Sequence, residues 1–198
     1  MKTIKHKTTF RNYEIRAGGI DKDNRTVELS FASDEPVLMR HEYGHDRVYE
    51  ILSHETPDYS RLENGGPLLI GHYSGDQVGA VRKCWTKPDD GKKKSYALAQ
   101  FGRSQRADEI FQDVIDEIRK NVSTGYNVYE ARQTAEIDGI PVFTATRWEP
   151  LEISIVPIPA DPSVGIGRNS EIITEFDLQI VEEIEKSKSW NLNIDLKI

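Results

Sequence analysis

The chain has 198 residues, with 26 Lys or Arg against 33 Asp or Glu, and therefore a formal net charge of −7 at pH 7. Domains commonly contain roughly 150 residues, so this length predicts one domain with a short appendage. The 37% of hydrophobic residues can fill a core, which argues against a wholly disordered chain, and the acidic balance argues against nonspecific nucleic-acid binding.

Membrane insertion, secretion and a disulfide framework are also disfavoured. No apolar run reaches the ~18 residues that span a bilayer, and residues 1–10 lack the apolar segment of a secretory signal. The single Cys84 cannot form an internal disulfide or a cysteine-based zinc cluster. These features predict a soluble protein in a reducing compartment.

The N-terminal third has the period-two pattern of strands. Tyr13 and Ile15 alternate with polar residues, and Val27, Leu29 and Phe31 do the same after a turn-rich stretch. The pattern predicts an antiparallel pair of strands with one solvated face.

The middle of the chain continues this strand-rich pattern after an irregular, charged region at 34–64. A short apolar run bounded by glycines, Pro67–Ile70, predicts a buried strand. Two alternating segments follow at 78–85 and 95–101, on either side of a turn at 89–94. Together these segments favour a β-meander or a barrel.

One segment has helical periodicity, from Arg106 to Lys120. Its apolar residues recur at three- and four-residue intervals, and Ser104 is suited to cap the N-terminus. The positions that form this stripe are Ala107, Ile110, Phe111, Val114, Ile115 and Ile118. We expect the helix to pack against the sheet.

The last predicted core strand covers 148–158. Leu151, Ile153 and Ile155 alternate there with Glu152 and Ser154, so the two sets occupy opposite faces. The composition changes after Arg168. This change predicts a domain over residues 1–168 and an acidic C-terminal tail or linker over 169–198, which is a candidate for processing.

A zinc site is one candidate for chemistry. His41, Glu42 and His45 match H-E-x-x-H, in which two histidines one helical turn apart bind zinc and the glutamate acts as general base. That geometry requires a helix, whereas this segment contains Gly44 and has no apolar helical stripe. An ordinary charged loop is the competing interpretation.

A second candidate consists of His72, Ser123 and Glu152. A serine hydroxyl becomes a useful nucleophile when a histidine accepts its proton and a third group orients that histidine. On residue types alone, structural roles remain open: a hydrogen-bonded core histidine, a serine that follows a helix, and a glutamate paired with a lysine.

Several stretches between about residues 10 and 168, which include the three residues of this second candidate, follow one another in a recognisable order. They resemble the tailed-phage prohead maturation proteases, which are similar to the herpesvirus assembly proteases in fold and in the order of their catalytic residues. The main stretches are FASDEPV at 31–37, LENGGPLLIGH at 62–72, DQVGAV at 76–81, FGRS at 101–104, ADEIFQDVIDEIRKNVSTGY at 107–126 and WEPLEISIVPIPADP at 148–162.

The resemblance implies a role for each matched residue. His72 matches the general base, Ser123 the nucleophile and Glu152 the third member, with Glu149 as an alternative three residues away. The late glycine-arginine loop that includes Gly167 and Arg168 matches the order expected of an oxyanion hole. A polar exit loop is the alternative interpretation of that segment.

The resemblance also implies an architecture and a role. The implied fold is α+β, a compact and mostly antiparallel β-barrel wrapped by helices, as in the herpesvirus proteases. The implied protein is a serine endopeptidase without cofactor or metal, which cleaves scaffold and major capsid precursors and itself inside the assembling procapsid in the host cytoplasm. A homodimer is a further implication.

Two other functions remain open at this point. One is a zinc-dependent hydrolase built on His41, Glu42 and His45. The other is a noncatalytic module for capsid assembly or scaffold binding. A hydrogen bond between His72 and Ser123 distinguishes the serine protease from this module.

Overall fold

The computed structural model describes residues 2–6, 9–89, 91–157 and 176–180. Within these ranges the chain forms eleven strands and two helices. The strands are β1 (Lys2–His6), β2 (Thr9–Asp21), β3 (Thr26–Ser33), β4 (Val37–Glu42), β5 (His45–Leu52), β6 (Pro67–Ile70), β7 (Tyr73–Asp89), β8 (Lys92–Phe101), β9 (Asn121–Ile137), β10 (Ile140–Ile155) and β11 (Phe176–Ile180). The helices are α1 (Ser60–Glu63) and α2 (Gln105–Ile115).

All described strands belong to one sheet with the order β1-β11-β9-β2-β3-β8-β7-β6-β10-β5-β4. Because β9 also pairs with β10, the strands β9, β2, β3, β8, β7, β6 and β10 form a continuous circuit of hydrogen-bonded neighbours. Most pairs are antiparallel, but β10 runs parallel to β5 and β6, and β11 runs parallel to β9. The sheet extends beyond the circuit to β1 at one end and β4 at the other.

The predicted α+β barrel wrapped by helices is wrong, and so is its likeness to the herpesvirus proteases. The described residues contain one helix of 4 residues and one of 11, which are too few to enclose the sheet. Period-two alternation dominates the sequence, and α2 is the one described segment with an apolar repeat of 3.6 residues. The architecture is therefore essentially all-β.

Several strand predictions are confirmed by the pairing. Strands β2 and β3 are antiparallel, with Ile15 opposite Leu29. The run Pro67–Ile70 is a strand whose two central residues are buried, and β7 and β8 form the predicted hairpin. The final core strand, however, begins at Ile140, well before the predicted start at Trp148.

Helix α2 is confirmed at its start and is shorter than predicted at its end. The Ser104 hydroxyl accepts a hydrogen bond from the Ala107 N–H at 3.2 Å, as an N-cap should. The helix ends at Ile115, and Glu117 adopts a left-handed φ of 58°. This change of direction leads into β9 and leaves Ile118, a member of the predicted apolar stripe, 71% exposed.

The prediction of an irregular region at 34–64 is wrong. It contains the antiparallel hairpin of β4 and β5 and the short helix α1. Left-handed φ values at Tyr43 (53°) and Gly44 (80°) make the turn between the strands. One face of β5 is fully buried through alternate residues Val48, Glu50 and Leu52.

The predicted domain boundary lies outside the described residues, so the division into 1–168 and 169–198 stays a prediction. The five described residues of the second part, Phe176–Ile180, form β11 between β1 and β9. No helix in the described ranges is long and apolar enough to cross a membrane.

Candidate functional site

The ends of three strands bring the predicted site residues together. In the sheet register, Ile70 at the end of β6 lies opposite Ile155 of β10, and Ser123 of β9 lies opposite Ser154 of β10. His72 follows β6 directly. Residues separated by 80 positions in the sequence, such as His72 and Glu152, are therefore neighbours in space.

His72 occupies a tight turn between β6 and β7. Both Gly71 (φ 58°) and His72 (φ 62°) have left-handed backbone conformations, which are uncommon for a residue with a side chain. The turn is attached to β10, because the Gly71 N–H donates to the Ile155 carbonyl oxygen at 3.0 Å. The His72 N–H donates to the Ser154 hydroxyl oxygen at 3.0 Å.

The Glu152 carboxylate is the centre of the cluster. Its Oε1 lies 2.8 Å from His72 Nδ1 and accepts from the Gly125 N–H at 2.9 Å, and its Oε2 accepts from the Ser154 hydroxyl at 2.6 Å. The residue is only 6% exposed. Because an unsolvated carboxylate is costly, these three donors are needed to keep it buried.

Ser154, which the strand alternation places on the same face as Glu152, is a full member of the network. It is completely buried, accepts from His72 and donates to Glu152. The predicted face is confirmed, because residues i and i+2 of a strand share one face. We refer to His72, Glu152 and Ser154, with the Gly125 N–H, as the polar junction.

Ser123 lies beside the polar junction without joining it through its hydroxyl. Its side chain is 1% exposed, and Ser123 Oγ has no hydrogen-bond partner among the residues that the structure describes. A serine nucleophile requires a base that accepts its proton. In this arrangement His72 is oriented by Glu152 but is not hydrogen-bonded to Ser123.

The alternative third member, Glu149, lies in a different environment. It accepts from the Tyr129 hydroxyl at 2.8 Å and lies 3.3 Å from Arg61 Nε. Burial raises the pKa of Tyr129 above its ordinary value, so this phenol keeps its proton at neutral pH. The other expected elements, Gly167 and Arg168, lie outside the described residues.

The H-E-x-x-H segment forms a β-hairpin turn and not a helix. Glu42 pairs with His45 across the turn, and His41 has a left-handed φ of 58°. His41 Nδ1 lies 3.8 Å from Asp46 Oδ1 at the exposed surface. No group of three or more His, Cys, Asp or Glu side chains in the described ranges is arranged to hold a metal ion, so the geometry gives the zinc alternative no support.

Sequence reasoning missed a second buried carboxylate, Glu50. It is fully buried, and its two oxygens accept hydrogen bonds from the hydroxyls of Tyr43 and Tyr126. The available signal was its position between Val48 and Leu52 on the apolar face of an alternating segment. A charged residue at such a position indicates partners that the local sequence does not reveal.

Comparison with known proteins connects the chain to phage capsids. It is 39% identical over 130 residues to the major capsid protein of Halomonas phage phiHAP-1, a match that covers 63% of this chain and 21% of that protein. The chain thus spans about one fifth of the length of the relative it matches. No protein-family model matches the chain, and no solved structure matches it significantly.

These findings overturn the predicted serine endopeptidase. The relative is named as a major capsid protein, which is a structural protein. The expectations of an enzyme and of capsid precursors as its substrates are therefore wrong, whereas the phage capsid context is supported.

Proposed function

We propose that the chain is a noncatalytic module for phage capsid assembly. The observation that carries the proposal is the 39% identity over 130 residues to a phage major capsid protein. Because the chain spans about one fifth of that relative, this role concerns one part of a larger assembly component. Its partners are capsid polypeptides, which it binds without cleaving.

The geometry of the polar junction supports a structural role for the predicted site residues. His72, Ser154 and Glu152 join the turn after β6 to β10, and the Gly125 N–H adds β9. Each bond fixes one element relative to another at a place where three strand ends meet. We assign His72 and Glu152 to this anchoring, and Ser123 to packing beside it.

Two exposed apolar side chains provide specific positions at which to test partner binding. Tyr73, next to the polar junction, is 67% exposed, and Ile118, between α2 and β9, is 71% exposed. Large apolar side chains enriched at interfaces become buried when partners bind. Since both are already exposed in the free chain, their removal should leave the fold intact.

The proposal is tested by co-expressing the chain with the corresponding phage capsid polypeptide and separating assemblies on a density gradient. We expect the wild-type chain to sediment with capsid assemblies. We expect Tyr73→Ala and Ile118→Ala to reduce this fraction, whereas Lys22→Ala in the exposed β2–β3 turn should have no effect. A chain that never sediments with capsid polypeptides contradicts the proposal. Light scattering of the purified chain tests the predicted homodimer separately.

A further inference from the structure

Glu50 links the β4–β5 hairpin to a central strand. Its carboxylate is fully buried on β5, with the Tyr43 hydroxyl donating to Oε2 and the Tyr126 hydroxyl donating to Oε1. Hydrogen bonds to an ionised carboxylate are stronger than those between neutral groups. Each tyrosine therefore contributes one hydrogen bond that stabilises this buried carboxylate.

Tyr43 belongs to the turn of the hairpin, and its side chain folds back into the protein. It is 3% exposed, and its ring stacks on Phe143 of β10 with the ring centres 4.7 Å apart. Burial and the nearby Glu50 charge raise the pKa of Tyr43 well above its ordinary value. Its hydroxyl therefore remains a proton donor to Glu50 at neutral and moderately alkaline pH.

Tyr126 provides the connection on the opposite side. It lies on β9 and is fully buried, with its ring packed edge-on against Trp148 at 6.0 Å between centres. Trp148 is itself fixed, because its indole N–H donates to the Ser53 carbonyl oxygen at 2.7 Å. Glu50 thus joins a turn at the edge of the sheet to a buried residue of β9.

The hairpin has a limited backbone attachment to the rest of the sheet. In the described ranges, β4 is the terminal strand of the order and pairs with β5. Strand β5 in turn pairs with β10 through four positions, Val142–Ala145, in parallel register. Edge units with short ladders open locally at lower free energy than core strands, so side-chain contacts decide how often this one opens.

We propose that Glu50 is a latch for the β4–β5 hairpin, by which we mean that its hydrogen bonds with Tyr43 and Tyr126 hold the hairpin against β10. When the contacts with Tyr43 and Tyr126 are broken, the hairpin opens as a unit. Opening separates β5 from its partners Val142–Ala145 on β10 and exposes that edge of β10 to solvent. The latch therefore controls access to an edge that the closed chain conceals.

Amide hydrogen exchange of the full chain, read by mass spectrometry, tests this latch. Tyr126→Phe and Tyr43→Phe each remove one donor to Glu50 and keep the aromatic ring. Loss of a hydrogen bond to a charged group should accelerate exchange in residues 37–52 on the order of tenfold to a hundredfold. Exchange in β7 and β8, which lie across the circuit, should change far less.

Tyr129→Phe is the matched control, because Tyr129 is on the same strand as Tyr126 but donates to Glu149. It should leave exchange in residues 37–52 at the wild-type rate. Uniform acceleration throughout the chain in Tyr126→Phe would mean that Glu50 contributes only to global stability, and the latch would be refuted. Unchanged exchange in residues 37–52 of both Tyr43→Phe and Tyr126→Phe would also refute the latch. Circular dichroism, measured in parallel, checks that both variants are folded.

Discussion

Ser123 and Ser154 allow one substitution to be compared at two adjacent buried positions. They face each other across β9 and β10, with relative exposures of 1% and 0%. Ser154 accepts from the His72 N–H and donates to Glu152, whereas Ser123 Oγ has no partner in the described part of the chain. Replacement by alanine should therefore lower stability strongly at Ser154 and little or not at all at Ser123.

The expected magnitudes follow from these contacts. Ser154→Ala removes a bond to a buried charged carboxylate and leaves the partly buried His72 N–H without its acceptor. This change should lower the free energy of unfolding by about 2–4 kcal/mol. Ser123→Ala removes a buried hydroxyl that is already unsatisfied. Its free energy of unfolding should stay within about 0.5 kcal/mol of wild type or exceed it.

Urea unfolding followed by tryptophan fluorescence measures both variants against wild type. If the slopes of unfolding free energy against urea concentration are equal, the differences between the unfolding midpoints report differences in stability alone. Equal destabilisation of the two variants would contradict the hydrogen bonds assigned to Ser154 in the polar junction. A loss of more than about 1 kcal/mol in Ser123→Ala would also contradict the assignments there, because that loss would reveal a hydrogen bond at Ser123 Oγ.

Three further predictions concern other regions. Gly79→Ala should lower the free energy of unfolding by about 1–3 kcal/mol in urea, since a Cβ there would lie 2.3 Å from the Gln100 carbonyl oxygen. Burial raises the pKa of the Cys84 thiol from 9.0 to about 12. The stability that the protonated thiol contributes is complete below pH 9.0 and declines as the pH rises towards 12. Cys84→Ala should therefore lose less stability than wild type over that pH window. Equimolar Zn²⁺ or a chelator should leave the melting temperature unchanged, because His41 and His45 lie in a β-turn.

Local patterns in the sequence predicted local structure well. The apolar run at Pro67–Ile70 became β6, and Ser104 caps α2. Both predictions depend on short-range effects: glycine boundaries for the strand and a side-chain acceptor for the first helical turn. The helix end was missed because the left-handed Glu117 has no glycine to mark it.

Features that depend on distant pairing could not be read from local patterns. The β4–β5 hairpin has a turn made by Tyr43 and Gly44, and Tyr43 is uncommon in a left-handed conformation. The partners of Glu50 come from the turn and from β9, so no local signal identified them. A strand register determines such contacts, and register depends on the whole sheet.

At the candidate site, the sequence indicated which residues meet but not how they are hydrogen-bonded. The resemblance to the prohead proteases selected His72 and Glu152, and the structure places their side chains 2.8 Å apart. The resemblance also implies Ser123 as the nucleophile, which stays a prediction; its buried hydroxyl has no hydrogen-bond partner among the described residues. Residue types and chain order identify which residues meet, but the hydrogen bonds between them depend on geometry at the scale of an ångström.

Intact-mass measurement shows whether the chain assembles with capsid polypeptides without cleaving them. The chain is co-expressed with the full-length capsid polypeptide as wild type, Ser123→Ala and His72→Ala, and the masses of both polypeptides are followed over time. We expect full-length masses for both polypeptides in all three samples, with the same capsid polypeptide mass throughout and chain masses that differ only by the substituted side chain. Shortened products that form with wild type and are absent with Ser123→Ala would contradict it.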